Sequence, residues 1–211
     1  MIYYISDMHL GDYGIMKYQS HGRFKSVEER DQTIIDNFNA RVKRDDDVYI
    51  LGDVISHAHR SYAHYLRQLN GQKHLIAGNH DHDLVRDNKA RSYFVSIDEI
   101  KYIVDGEHKI ILCHYPMAEW NGYQKGVCHV YGHIHDHENL SGAFMQFLLK
   151  QGILALNAAV MVNDYQPVTF DEMLQNNRNR MNGVNTASQI SEDIPLDMEF
   201  ADEWQTRRRG E

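Results

Sequence analysis

The chain is poor in cysteine, lacks any long apolar run and carries no excess of positive charge. Each shortage narrows what it does. Only Cys113 and Cys128 occur in 211 residues. A disulfide framework needs more cysteines in a smaller chain, so a reducing, cytoplasmic setting is expected. No apolar stretch approaches the roughly 18 to 20 residues of a membrane span, so no membrane association is expected. The opening "MIYYISDMHL" lacks the basic region and small-residue cleavage site of a secretory signal, and it reads as a first strand. A formal net charge of −8 offers nucleic acid no general attraction. A pair of bound divalent cations offsets half of that charge locally, which keeps a small phosphate-bearing partner open.

What the chain has in excess is histidine. Its 14 histidines are roughly three times average usage for this length, a prior for metal or acid–base chemistry. Hydrophobic residues at 42% and charged residues at 25% are those of an ordinary globular protein, and the length suits one well-cored domain with or without a tail.

Read along the chain, "MIYYIS" is a short buried strand followed by a long polar connection, Asp7 to Lys25, of the kind that carries function. Ser26 and Glu29 form a capping-box pattern. Val27, Ile34, Ile35, Phe38 and Val42 then recur at helical spacing, which predicts a helix from Val27 to Lys43. "VYILGD" and "KHLIAGN" are the next strands, with a helix over Ser61 to Leu69 between them and a short helix or loop over Leu84 to Arg91. "YFVSI", "KYIVD" and "HKIILCH" read as strands, the last two joined by a "DGE" hairpin turn. "VCHVYG", a helix "AFMQFLLKQG" closed by Gly152, the strand "ILALN", and a last strand and helix in "PVTFDEMLQNNRNRM" follow. A single domain over 1–181 and a polar tail over 182–211 are expected, the core an α/β sandwich around mixed sheets.

The chemistry sits where the strands stop. The first strand delivers Asp7 and His9 ("DMH"), the second Gly52 and Asp53, the third Gly78 to Asp81 ("GNHD"). After "KIILC" comes His114, and after "VCHVY" come His133 and His135 ("GHIH"). Sites in open α/β sheets assemble at the carboxyl ends of strands, so these five segments are expected to converge. Carboxylates, imidazoles and one amide oxygen suit borderline divalent ions such as manganese, iron(II), zinc or nickel. Asp7, His9, Asp53, Asn79, His114, His133 and His135 are too many donors for one ion, and one bridging carboxylate would give two ions four protein ligands each. The Gly11–Asp12 pair lies in a polar loop and reads as a decoy. His57, His59, His64, His74 and His108 read as solvated or locally hydrogen-bonded.

This series of motifs, from Asp7 to Asn157, resembles the calcineurin-like metallophosphoesterase family, and "HYPMAEWNG" with "YGHIH" resembles its small bacterial members. The resemblance implies a four-layer α/β/β/α sandwich of two mixed sheets flanked by helices. It implies one metal on Asp7, His9 and His135, another on Asn79, His114 and His133, and Asp53 bridging them. It also implies that His80 stabilises the transition state or protonates the leaving oxygen while Asp81 positions its ring. "GDVIS" and "LNAAV" depart from the family's common phrases without removing a ligand. His137 has no vacant role in this scheme. Arg23 is a candidate bidentate hydrogen-bond donor to a substrate phosphate, the alternative being a solvated loop arginine; Trp120 is a candidate pocket wall or a core residue. Tyr123 and Arg207 to Arg209 read as surface.

The implied protein is a metal-dependent phosphoric ester hydrolase of the cytoplasm. It would hold two divalent ions, manganese foremost, and hydrolyse a small phosphodiester or phosphomonoester by attack of metal-activated hydroxide. A nuclease of short single-stranded nucleic acid, disfavoured by the acidic balance, and a catalytically silent metal-binding interaction module are the alternatives.

Overall fold

The computed structural model describes residues 1–16, 22–136 and 140–183. The apolar segments pair into two four-stranded sheets. The first holds β1 (Ile2–Ile5), β2 (Asp47–Ile50), β3 (Gln72–Ile76) and β4 (Phe94–Asp98) in that spatial order, parallel throughout. The second holds β5 (Ile100–Asp105), β6 (His108–Cys113), β7 (Cys128–Tyr131) and β8 (Ala155–Asn157), antiparallel between β5 and β6 and parallel beyond. The expected sandwich is present, although only its second sheet is mixed. The "DGE" turn is a hairpin, with Asp105 paired to His108.

Alternation along the strands divides the core. Tyr4, Tyr49, Leu51 and Ile76 of the first sheet or its strand ends meet Ile110, Leu112, Val130 and Leu156 of the second between the layers. Tyr3, Ile5, Val48 and Ile50 face outward instead, onto Ile34, Ile35 and Phe38 of helix α1 (Val27–Arg41). On the far side Ile111, Tyr131 and Ala155 pack on Met145 and Leu148 of helix α5 (Leu140–Lys150). Short helices α2 (Tyr62–Leu66), α3 (His82–Arg86) and α4 (Asn88–Arg91) lie between strands of the first sheet. Helix α6 (Phe170–Met181) closes the described chain.

The helix starts follow capping chemistry. The Ser26 hydroxyl accepts the Glu29 N–H at 3.2 Å and holds the first turn of α1, but Glu29 reaches back to the Lys25 N–H rather than to Ser26. At α6 both halves of the box form between Thr169 and Glu172. Four readings are corrected. Helix α1 stops at Arg41, short of Lys43, because Val42 turns into an extended conformation. The segment over Leu84 to Arg91 is two helices, broken at Asp87, whose carboxylate caps the second. "PVTF" contributes only a bridge from Val168 to Tyr4 before α6 takes over. Met8 and Leu10 are fully buried, so the connection after β1 enters the core before it becomes polar. Residues 184–211, most of the expected tail, and His137 lie outside the described residues. Among the described residues, no helix is long and apolar enough to cross a membrane.

Candidate metal centre

The parallel strands stop at one edge, and the backbone there turns sharply. Of the eight described non-glycine residues with positive φ, six lie in these turns: Asp7 (56°), His9 (43°), Asp53 (53°), His57 (46°), His133 (70°) and His135 (51°). L-residues enter the left-handed region at a cost of about 1–2 kcal/mol each, so the surrounding structure has to hold them there. Hydrogen bonds between the turns do so: His9 N–H donates to the Asp53 carbonyl at 2.9 Å, and Asp7 N–H to that of Gly52 at 3.1 Å. Glycine is required at two close approaches. A Cβ on Gly132 would strike the Ser6 hydroxyl and lie 2.5 Å from Asp7 Oδ2, and one on Gly78 would strike the Asp53 carboxylate.

The turns bring all seven predicted donors together. His9 Nε2 lies 3.2 Å from His135 Nε2, and Asp7 Oδ1 lies 3.4 Å from His135 Nε2 and 4.0 Å from His9 Nε2. In a second group, Asn79 Oδ1 lies 3.1 Å from His114 Nε2 and 3.0 Å from His133 Nδ1. Asp53 Oδ2 stands between the groups, 3.5 Å from both His9 Nε2 and His114 Nε2. Three overlapping sets, Asp7–His9–His135, His9–Asp53–His80 and Asp53–His114–His133, each converge tightly enough to hold an ion.

The donor chemistry fits divalent metal. His114 Nδ1 donates to the Leu51 carbonyl at 2.7 Å, which leaves the Nε2 lone pair facing Asn79 and Asp53. His9 and His135 face each other through Nε2 beside the Asp7 carboxylate, a contact in which only one ring can donate to the other. Acceptor atoms packed this closely need a proton or a cation among them, and a divalent ion fills that place by ligation. Burial holds His9 neutral, with its pKa pushed down to about 3, and lowers His133 as well. For Asp7, burial alone would raise the carboxyl, but His135, His114 and His9 draw it down to about 2. Burial favours neutral His135 too, yet the adjacent Asp7 outweighs it and raises the ring's pKa. Asp53 is raised by burial and by Asp7, against the pull of His114.

His80 and Asp81 have separate surroundings. His80 is exposed at the rim, its N–H donates to Asp53 Oδ1 at 2.9 Å, and its Nδ1 lies 3.4 Å from the Ser56 hydroxyl. Asp81 is fully buried, and its carboxylate accepts the N–H groups of Gly78 (2.8 Å), Asp53 (2.8 Å) and Val54 (3.1 Å). Asp81 fastens the "GD" turn to the "GNHD" turn, and the Ser56 hydroxyl is the group beside the His80 ring.

The two substrate-contact candidates lie elsewhere. Arg23 pairs with Asp164 at 2.5 Å and lies over the Tyr165 ring, because the carboxylate and ring beside it satisfy its charge. Trp120 is buried in the core outside the second sheet, where its indole N–H donates to the Val127 carbonyl at 2.8 Å. A cavity of about 350 Å³ opens over the donors, lined by His9, Asp53, His57, His80, His133 and His135 among others. His57, read from the sequence as a solvated bystander, is therefore part of this wall. The remaining bystanders keep local partners: His74 lies between Ser96 and Asp47, and His108 stacks on Phe170. An asparagine network also went unread. Asn157 donates to the His135 carbonyl at 2.6 Å and is itself bonded in both directions to Asn177 of α6.

Fold and donor set together define an α/β sandwich with a histidine–carboxylate–amide centre suited to metal. No family model matches the chain. It is 32% identical over 172 residues to the uncharacterized protein MJ1445 of Methanocaldococcus jannaschii, covering 81% of this chain and 87% of that one. The Gene 66 protein of Mycobacterium phage L5 is 26% identical over 160 residues, 63% of this chain and 76% of the relative. The solved structure of AQ665 from Aquifex aeolicus, a protein of unknown function, superposes with a TM-score of 0.65 and 28% identity, covering 83% and 98% of the two chains. The chain belongs to the family of MJ1445. Phosphoesterase and nuclease structures also appear among its neighbours, at TM-scores of 0.41 or lower, too slight a likeness to bear on activity.

Proposed function

We propose that the chain is a metal-dependent phosphoesterase with a dinuclear centre, acting on a small phosphodiester or phosphomonoester. The observation that carries this is the position of Asp53, with one oxygen 3.5 Å from a histidine of each donor group. Asp7, His9 and His135 would hold one ion and Asn79, His114 and His133 the other, with Asp53 shared; the mixed nitrogen–oxygen donors favour manganese, with iron(II), zinc or nickel as alternatives. Two such ions, when bound, supply Lewis acidity toward a phosphoryl group and toward water.

The chain's own residues do the rest. His80 stands at the exposed rim beside Asp53 and His9, where a leaving oxygen emerges from the cavity. With Nδ1 turned to Ser56, its Nε2 is free to carry the proton that the leaving oxygen receives. Asp81 keeps His80 and Asp53 in register through the backbone of both turns. A cavity of about 350 Å³ is at the small end of ligand sites, in keeping with a small substrate.

The test is hydrolysis of bis(p-nitrophenyl) phosphate, p-nitrophenyl phosphate and a single-stranded oligonucleotide with added manganese, beside His80→Ala. Metal-dependent turnover of a small ester, lowered about 100-fold in the variant, is expected. Preference for the oligonucleotide would indicate a nuclease. A wild type that binds metal yet matches the inactive variant on every ester would make the chain a silent metal-binding module.

A further inference from the structure

Five of the six left-handed residues in the turns are donors already assigned, and the sixth is His57, with φ of 46°. His57 shares that backbone conformation with the donors around it, and such strain persists only where the structure enforces it. His57 is exposed and lines the cavity beside His9, Asp53 and His80. Its ring stands edge-on to that of His80, centroids 5.9 Å apart, and His80 in turn stands edge-on to His9 at 5.2 Å. His80 thus has a donor histidine on one side and His57 on the other. A group attached to the oxygen that His80 protonates lies within reach of His57.

We propose that His57 is a substrate-binding residue on the leaving-group side of the site, donating an imidazole N–H to an oxygen carried by the leaving group. The proposal rests on the phosphoesterase reading and deepens it. It selects esters or phosphoanhydrides whose leaving group brings an acceptor close to the bridging oxygen, as a polyol hydroxyl or a second phosphoryl group does. A bare aryl group brings none.

Steady-state kinetics of the manganese-loaded protein on phenyl phosphate, glycerol 3-phosphate and ADP test this, beside His57→Ala and His57→Asn. In His57→Ala the ratio of kcat/KM for an acceptor-bearing substrate to that for phenyl phosphate falls about tenfold, chiefly through KM, the size of one hydrogen bond. His57→Asn, which tolerates the left-handed backbone and keeps an N–H donor, recovers part of it. Whether glycerol 3-phosphate or ADP carries the loss tells hydroxyl from phosphoryl oxygen. Equal loss on all three substrates, or none, overturns the proposal. A wild type that turns over none of them, nor bis(p-nitrophenyl) phosphate, instead fails the hydrolase reading. NMR of the labelled imidazoles in the zinc-loaded protein then decides His57 alone: its resonances shift with glycerol 3-phosphate or ADP more than with phenyl phosphate, and no such shift overturns it.

Discussion

Asp81 shows how one buried carboxylate governs a site without touching a reactant. It accepts three backbone N–H groups from two turns and has no solvent to replace them. Asp81→Ala leaves those donors unpaired at about 1–3 kcal/mol each, so a loss of roughly 3–5 kcal/mol is expected in urea unfolding. A residue that only aimed the His80 ring would lower turnover and leave stability nearly intact. His129 makes a second case. It is fully buried, with Nδ1 3.3 Å from the Ile111 carbonyl and Nε2 3.2 Å from both the Met117 N–H and the Tyr115 carbonyl. Burial pushes its pKa down to about 4 from an ordinary 6.5. The folded state therefore binds fewer protons than the unfolded one between those values, and its contribution to stability is complete above 6.5 and lost as pH falls toward 4. Unfolding free energies from pH 7 to 4 should fall more steeply in wild type than in His129→Gln, by at most about 1.4 kcal/mol per pH unit. Parallel curves would refute this.

At the scale of elements, the candidate site is a set of strand ends, and its donors were legible because a parallel strand announces its stop in sequence. Buried apolar runs followed by "DMH", "GD", "GNHD", a histidine and "GHIH" place seven donors at one edge, and the structure brings those seven together. What joins the ends was not legible. The bonds from Asp81 to Asp53 and from Asn157 to His135 span 28 and 22 positions, and nothing periodic marks either. His57 was hidden because strain is a property of φ, and an exposed "HAH" resembles any polar loop. The choice between pocket and core or loop for Arg23 and Trp120 stayed open in the sequence because a loop's path decides which neighbour a side chain finds. Gly132 is the element-scale test. Gly132→Ala puts a methyl group against Ser6 and Asp7, so the end of β7 must shift away from β1. Metal affinity by isothermal titration should fall at least about tenfold while circular dichroism retains the fold, since displaced ligands lose coordination before the core unpacks. Unchanged affinity would mean that the approach of these strand ends does not matter.

For the whole molecule, the two sheets meet through an apolar interlayer that owes nothing to metal, while their open edge gathers like-natured donors. The fold is therefore expected to stand without ions and to be strengthened by them. A ligand at 100 times its Kd adds about 2.7 kcal/mol to the folded state per site. Removing metal with a chelator should lower the melting temperature by several degrees and readdition restore it, without loss of secondary structure. The sandwich itself was legible from alternating apolar strands and helices. That the first sheet is wholly parallel, and that "PVTF" supplies a bridge and not a strand, were decided by which edges found partners in space.

Asp53 is expected to join two metal positions into one centre. Equilibrium dialysis with manganese, read by elemental analysis of the protein, measures it most directly. Two ions per chain in the wild type, both bound more weakly in Asp53→Ala, is the predicted result. One ion per chain in the wild type, or two that persist with unchanged affinity once Asp53 is removed, would contradict it.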